Sequence, residues 1–313
     1  MATPIESPQQ RKAYVITGPT SGIGRATALE VAKHGTVVLV GRDPKKLDEV
    51  QKLIEQRGQQ AVSVQCDLSE LASVRRAAAE ILALQLPIAA LLNNAGIMQT
   101  RPTQNSLGWD LSFATNHLGP FALTQALAPQ LADGAQVVFV ASAVEDPERK
   151  PAVAAGFRGA RYISAEACAR GEWKGGGSAK PGMDAYATTK QCTLLTAMAF
   201  ARETLRLRFN AVEPGFNPGT RLGQRDANLF VRVLVKVLVP VLVPLLMPFM
   251  KFMSTSKRAG RVITGILTDT SGKTGVYYDE GGQPMQGSAL ARDPKFQDLV
   301  VAETRALLST VPM

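Results

Sequence analysis

A short β-type apolar run at 13–16 empties into the turn Thr17-Gly18-Pro19-Thr20-Ser21-Gly22-Ile23-Gly24, and an apolar-periodic segment at 23–34 follows. Few folds accommodate that succession. Gly18 permits the tight turn, Gly22 keeps a side chain out of the way of an approaching anion, and Gly24 lets the helix lie close to the strand. The N–H groups that open such a helix have no partner within it and point at negative charge, so the unit reads as a phosphate cradle at the start of a βαβ motif.

The same rhythm continues along the chain. Strand-like runs at 36–40, 61–65, 88–92, 136–141, 207–212 and 276–278 alternate with helical patterns. Asp43-Pro44 opens one helix, Ser69 reads as the N-cap of the next, 107–131 is a long helical stretch, and 186–205 is amphipathic. Alternation of this kind predicts an α/β fold, a Rossmann-type doubly wound parallel sheet of about seven strands with helices on both faces. The length, 313 residues, suits a single catalytic domain at 13–313. Residues 1–12 are polar, carry Pro4 and Pro8, lack the apolar stretch of a signal peptide, and are expected to be a flexible arm.

Two segments interrupt the alternation. Pro147, Pro151, Gly175-Gly176-Gly177 and Pro181 punctuate 145–184 too often for one long element. That stretch reads as an inserted loop with a short helix near 164–169, and either a lid over the site or a tolerated surface insertion would account for it. The segment 229–253 is strongly apolar, but its uncharged run of 14 residues between Lys236 and Lys251 falls short of the roughly 20 a spanning helix needs. Pro240, Pro244 and Pro248 would also kink any helix there. Two readings stay open: a substrate-side cap or subunit contact, and a peripheral membrane contact in which Arg232, Lys236 and Lys251 meet headgroups.

Composition narrows the function classes. The formal charge is +9, yet aromatics are only 6% and no basic stripe is interleaved with them, which argues against nucleic-acid binding. Cys66, Cys168 and Cys192 form no disulfide framework, so a reducing, cytoplasmic setting is expected. His34 and His117 stand apart from each other and from the cysteines, and neither is assigned a ligand role. No metal is expected, and a redox reaction would draw its electrons from an organic cofactor.

Tyr186 and Lys190 are four residues apart on a predicted helix, hence on one face. An ammonium beside a phenol favours the phenolate and suits the tyrosine to proton transfer. Ser142 lies at the C-terminal end of the fifth predicted strand, where ligands of open α/β sheets gather, and Asn116 places an amide inside an apolar helix. At the end of the second predicted strand, Arg42 takes the place of the acidic residue that would bond a ribose hydroxyl. Its guanidinium suits a 2′-phosphate and points to NADP(H), while Asp43 reads as the N-cap before Pro44.

Taken in order, Thr17 to Gly24, Asn93-Asn94-Ala95-Gly96, Asn116, Ser142, Tyr186/Lys190 and Pro214-Gly215 resemble the short-chain dehydrogenase/reductase family over nearly the whole chain. The resemblance implies that Tyr186 is the acid/base, that Lys190 lowers its pKa and holds the nicotinamide ribose, that Ser142 orients the substrate oxygen, and that Asn116 binds a water linking Lys190 to solvent. It also implies that Gly18, Thr20, Ser21, Gly22, Ile23 and Gly24 hold the pyrophosphate, Asp67, Leu68, Asn94, Ala95 and Gly96 line the adenosine side, and Pro214 and Gly215 line the nicotinamide side. Asn93 and Asn94 would partly brace the sheet.

Gly41-Arg42-Asp43, the apolar segment beyond Pro214-Gly215 and Gly275-Val276-Tyr277-Tyr278 look more loosely like the retinol dehydrogenase and protochlorophyllide reductase branch. Phe216 stands where the pigment reductases of that branch carry a cysteine. The expected function is reversible reduction of a lipophilic ketone or aldehyde, with a C=C ring reductase and a non-catalytic NADP-binding or membrane-associated scaffold as alternatives. Family members also pair through the helices corresponding to 107–131 and 186–205, which implies a homodimer or homotetramer.

Overall fold

The computed structural model describes residues 12–217 and 253–311. The expected arm, apart from Lys12, and the 229–253 segment, apart from Met253, lie outside the described residues. Seven strands, β1 (Ala13–Thr17), β2 (Thr36–Gly41), β3 (Ala61–Gln65), β4 (Ile88–Asn93), β5 (Gln136–Val140), β6 (Arg208–Val212) and β7 (Tyr277–Tyr278), form one sheet in the order β3-β2-β1-β4-β5-β6-β7. Every pairing is parallel. The strand order reverses between β1 and β4, which is where an open α/β sheet offers a crevice. Helices on both faces explain why β1, β2 and β5 read as nearly continuous apolar runs and not as alternating ones.

One face carries α1 (Gly22–Val31), α2 (Pro44–Glu55) and α9 (Ser256–Leu267); the other carries α3 (Leu71–Ala83), α5 (Gly119–Leu127), α8 (Pro181–Glu203) and α10 (Pro294–Ser309). Asp43 does cap α2, accepting from the Lys46 N–H at 3.3 Å, with Pro44 in the first turn. Ser69 does not cap α3. The residue before that helix is Glu70, and Ser69 instead donates its N–H (3.0 Å) and hydroxyl (2.7 Å) to Asp67 in a local side-chain turn. α8 begins at Pro181, ahead of the expected 186, because a proline in the first helical turn lacks only an N–H that would be unpaired anyway.

The long helix expected at 107–131 is broken into pieces: α4 (Leu111–Phe113), a π-turn at Ala114–Leu118, α5, and a 3-10 turn at Ala128–Gln130. Pro120 has no N–H to offer the Asn116 carbonyl four residues back, so the regular ladder cannot run through this point.

The 145–184 insertion is not an unstructured loop. It holds α6 (Lys150–Ala154) and α7 (Ala165–Ala169), with Ser164 capping the latter. It is anchored at several points: Arg161 N–H donates to Thr188 Oγ1 (2.7 Å), the Tyr162 hydroxyl donates to Glu303 on α10 (2.6 Å), and Asp110 N–H donates to Ala169 O (2.6 Å). This insertion and α10 cover α8, in which residues 187–197 are all buried within the single chain. Among the described residues, no helix is long and apolar enough to cross a membrane.

At the reversal point the fully buried Thr17 hydroxyl donates to Leu92 O (3.1 Å) and accepts from the N–H groups of Asn94 (2.9 Å) and Ala95 (3.1 Å). Thr17→Val keeps the shape and strands those three groups, so urea unfolding should show a loss of about 2–4 kcal/mol. A loss within error would remove this brace from the account of the fold.

Candidate active site

All the loops that leave the C-terminal ends of the parallel strands open on one edge, and the singled-out residues collect there. After β1 the chain turns through Gly18 (φ +66°) and Gly22 (φ +54°), left-handed positions that favour glycine. A Cβ on Gly24 would lie 2.3 Å from Gly18 O, so helix and turn touch through backbone. Ser21 precedes α1 without capping it by its side chain, in contrast to Asp43 at α2. The first-turn N–H groups of α1, with Thr20, Ser21 and Ile23 around them, are thus available to an anion, and the cradle fits a pyrophosphate. Arg42 follows β2 with its side chain exposed, whereas Asp43 is committed to Lys46, whose ammonium is 2.5 Å away. Asp67 and the buried Leu68 follow β3.

Asn94 donates from Nδ2 to Thr17 O (2.9 Å) and Gly18 O (3.3 Å), and Asn93 donates to Thr124 Oγ1 (2.9 Å). Both side chains brace the sheet. Ala95 and Gly96 carry the chain onward, and a Cβ on Gly96 would sit 3.4 Å from Asn116 Oδ1 and 3.7 Å from Lys190 Nζ. The Asn116 side chain is held in place: Oδ1 accepts from Ile97 N–H (2.8 Å), while Nδ2 donates to Ile97 O (2.8 Å) and Thr189 Oγ1 (3.1 Å). Its carbonyl, freed by Pro120, lies 3.3 Å from the Thr193 hydroxyl.

Tyr186 and Lys190 share one face of α8, with Nζ 5.5 Å from the centre of the phenol ring. Lys190 is buried and donates to Val140 O at 2.6 Å. The lowered tyrosine pKa expected from this pair is not what the protein alone has. Burial, and then the charge of Glu213, push the Tyr186 hydroxyl above its ordinary value, and burial lowers Lys190 to about 8. Desolvation is the leading cause for both groups.

Glu213, directly ahead of Pro214 and Gly215, was not singled out from the sequence. Its carboxyl is buried and accepts from Ala143 N–H and from Gly215 N–H (2.9 Å). An acidic residue at the end of the apolar strand Phe209-Asn210-Ala211-Val212 was the available signal. Phe157, from the insertion, was missed as well; its ring centre is 6.4 Å from that of Tyr186. His117 is a satisfied core residue, 2.9 Å from Thr304 Oγ1 and held neutral by burial, which lowers its pKa to about 3.

The family model described as short chain dehydrogenase matches residues 12–153. A protein of Streptomyces sp. (strain C5), provisionally named daunorubicin C-13 ketoreductase DnrU, is 31% identical over 215 residues, 68% of this chain and 68% of that protein. Polyprenol dehydrogenase of Mus musculus is 38% identical over 149 residues, and retinol dehydrogenase 13 of Homo sapiens 35% over 133. The chain spans 44% and 40% of the lengths of these two, respectively. Among solved structures, an uncharacterised protein from Mycobacterium paratuberculosis superposes with a TM-score of 0.69 at 25% identity, covering 97% of this chain and 95% of that one. A short chain dehydrogenase from Shigella flexneri complexed with NADP gives 0.60 at 26% identity, covering 88% of this chain and 99% of that one.

Because the Lys190 pKa in the folded chain lies below its unfolded value of 10.5, the buried charge weakens the fold at neutral pH and the penalty disappears as pH rises from about 8. Relative to Lys190→Met, the wild-type protein should gain on the order of 1–3 kcal/mol across that interval in chemical unfolding. Parallel curves would mean that Lys190 titrates as if exposed.

Proposed function

The chain belongs to the short-chain dehydrogenase family, and we propose that within it the protein is an NADP(H)-dependent oxidoreductase that reversibly reduces a ketone or aldehyde of a lipophilic substrate to the alcohol. The observation that carries the reading is Lys190 beside the Tyr186 ring, its ammonium bonded to Val140 O two residues ahead of Ser142, with an uncapped glycine cradle at the same end of the sheet.

Gly18, Thr20, Ser21, Gly22, Ile23 and Gly24 would hold the pyrophosphate, Arg42 the 2′-phosphate, Asp67, Leu68, Asn94, Ala95 and Gly96 the adenosine side, and Pro214 and Gly215 the nicotinamide side. The cofactor supplies or takes the hydride when bound. The chain's own part is orientation and proton transfer. Ser142 and Tyr186 flank the position of a reacting oxygen. Tyr186, kept as a phenol by burial, holds the proton that a carbonyl oxygen needs as negative charge develops on it. Lys190 places an ammonium behind the ring, where it steadies the phenolate left after transfer. Phe157 beside Tyr186 and the exposed Phe216 after Gly215 give the substrate side an apolar character, in keeping with the lipid alcohols in the names of two relatives.

The test is initial-rate kinetics with NADPH and NADH against lipophilic ketones, aldehydes and retinoid-like carbonyls, with products identified. Tyr186→Phe should lower kcat/KM about 100- to 10,000-fold while the NADPH Kd stays unchanged. Turnover untouched by that change refutes the assignment, and a saturated C–C bond in the product would replace carbonyl reduction with ring reduction. Arg42→Ala should weaken NADPH binding by about 10- to 100-fold and leave NADH as it was. Equal losses for both would remove the 2′-phosphate role.

A further inference from the structure

We propose that Glu145, through its buried bonds to Ser288, is a positioning residue for Ser142: it ties the turn that carries Ser142 to the loop that follows β7. The inference rests on the reductase reading above and deepens it by naming what holds the serine of that site in place.

Ser142 opens a single 3-10 turn, Ala143–Glu145, just beyond β5. The bonds inside the turn are long, Glu145 N–H to Ser142 O and Asp146 N–H to Ala143 O both at 3.3 Å, so its shape depends on what grips its two ends. At the front, Ala141 N–H donates to Val212 O (2.9 Å) and Ala143 N–H donates to Glu213. At the back the grip is Glu145, which is fully buried. Its carbonyl accepts from Ala160 N–H of the insertion (2.9 Å), and its carboxyl lies between α8 and the loop after β7.

That carboxyl has no cation partner among the described residues, and its bonds come from neutral donors. Oε1 accepts from Ser288 N–H (2.8 Å), and Oε2 accepts from the Ser288 hydroxyl (2.6 Å) and from Gln191 Nε2 (3.3 Å). Two bonds to one residue fix both its distance and its direction. Ser288 Oγ also accepts from Ala291 N–H (3.2 Å), while its one proton is committed to the carboxyl. A Cβ on Gly287 would fall 2.8 Å from Leu194 Cδ2 and 3.1 Å from Glu145 Oε1, so the loop backbone lies directly against α8 and the carboxyl. The loop is rooted on the sheet as well, Met285 N–H donating to Tyr277 O (2.7 Å). Removing the carboxyl would strand the Ser288 N–H, the Ser288 hydroxyl and the Gln191 amide in a buried space. Because the Glu145 N–H bears on the Ser142 carbonyl, any shift of Glu145 is passed to Ser142.

The test is steady-state carbonyl reduction by the full chain with NADPH, in a double-mutant cycle of Glu145→Leu and Ser142→Ala. Glu145→Leu should lower kcat about 10- to 100-fold, with KM and the NADPH Kd within about twofold of wild type. Glu145→Gln keeps an oxygen for the Ser288 N–H and should fall between wild type and Glu145→Leu. Ser288→Ala, which removes one bond of the tie, should lower kcat about three- to tenfold. In the Ser142→Ala background, Glu145→Leu should change kcat by less than about twofold, since the group it positions is gone.

A Glu145→Leu loss that persists in full in the Ser142→Ala background, or that falls on KM with kcat untouched, overturns the proposal, because the residue then acts elsewhere than on Ser142. If Glu145→Leu does not fold, Ser288→Ala taken through the same cycle decides it. If the wild type reduces no carbonyl, amide hydrogen exchange at 143–146 and 160 is the deciding measurement. Faster exchange there in Ser288→Ala, with the strands unchanged, means that the reductase reading has failed and the tie from Ser288 to the Ser142 turn stands; unchanged exchange removes both.

Discussion

The Thr17 hydroxyl, with the Asn94 amide beside it, ties β1 to β4 at the one place where the sheet changes direction, and the site depends on that tie. A parallel strand pair satisfies its own backbone only along its length; the first residues beyond the strand ends are left with donors facing a crevice. Here Thr17 Oγ1 accepts two of them, and Asn94 Nδ2 caps Thr17 O and Gly18 O. The glycine turn above β1 and the Asn94–Gly96 loop above β4 are thereby fixed relative to each other. Gly24 packs against that junction without a side chain, which brings the N-terminus of α1 to the crevice.

The second constraint is the shortage of water on the far side of the crevice. Lys190 is buried and Glu213 nearly so, and the Tyr186 hydroxyl sits between their influences. In such surroundings desolvation decides protonation before pairwise attraction does. The phenol stays protonated and the lysine gives up its proton more readily. A Tyr–Lys pair on one helix face, considered alone, suggests the opposite sign for the tyrosine. The difference comes first from burial of the phenol, and then from the charge of Glu213, which follows β6.

The insertion between Ser142 and Tyr186 shows how punctuation by proline and glycine can mislead. Those residues mark short helices and turns tied to α8 and α10, and Gly159, at φ +76° and packed against Pro147, is one of the places where the backbone doubles back. The result is a fixed wall that covers α8 and brings Phe157 toward Tyr186. Pro120 acted in the same hidden way, since a helix pattern does not reveal that one missing N–H widens the turn at Asn116.

By itself the sequence determined the sheet, its parallel sense and the glycine turn after β1, because apolar periodicity and glycine spacing are local signals. Asp43 as the cap of α2 was legible for the same reason. Only the tertiary structure decided that residues 187–197 of α8 are buried within one chain, and that the Glu213 carboxyl accepts from Ala143 N–H after β5 as well as from Gly215 N–H. Each of these depends on which distant backbone groups share a buried space, and hydrogen-bond partners and desolvation are set by that space and not by neighbours along the chain.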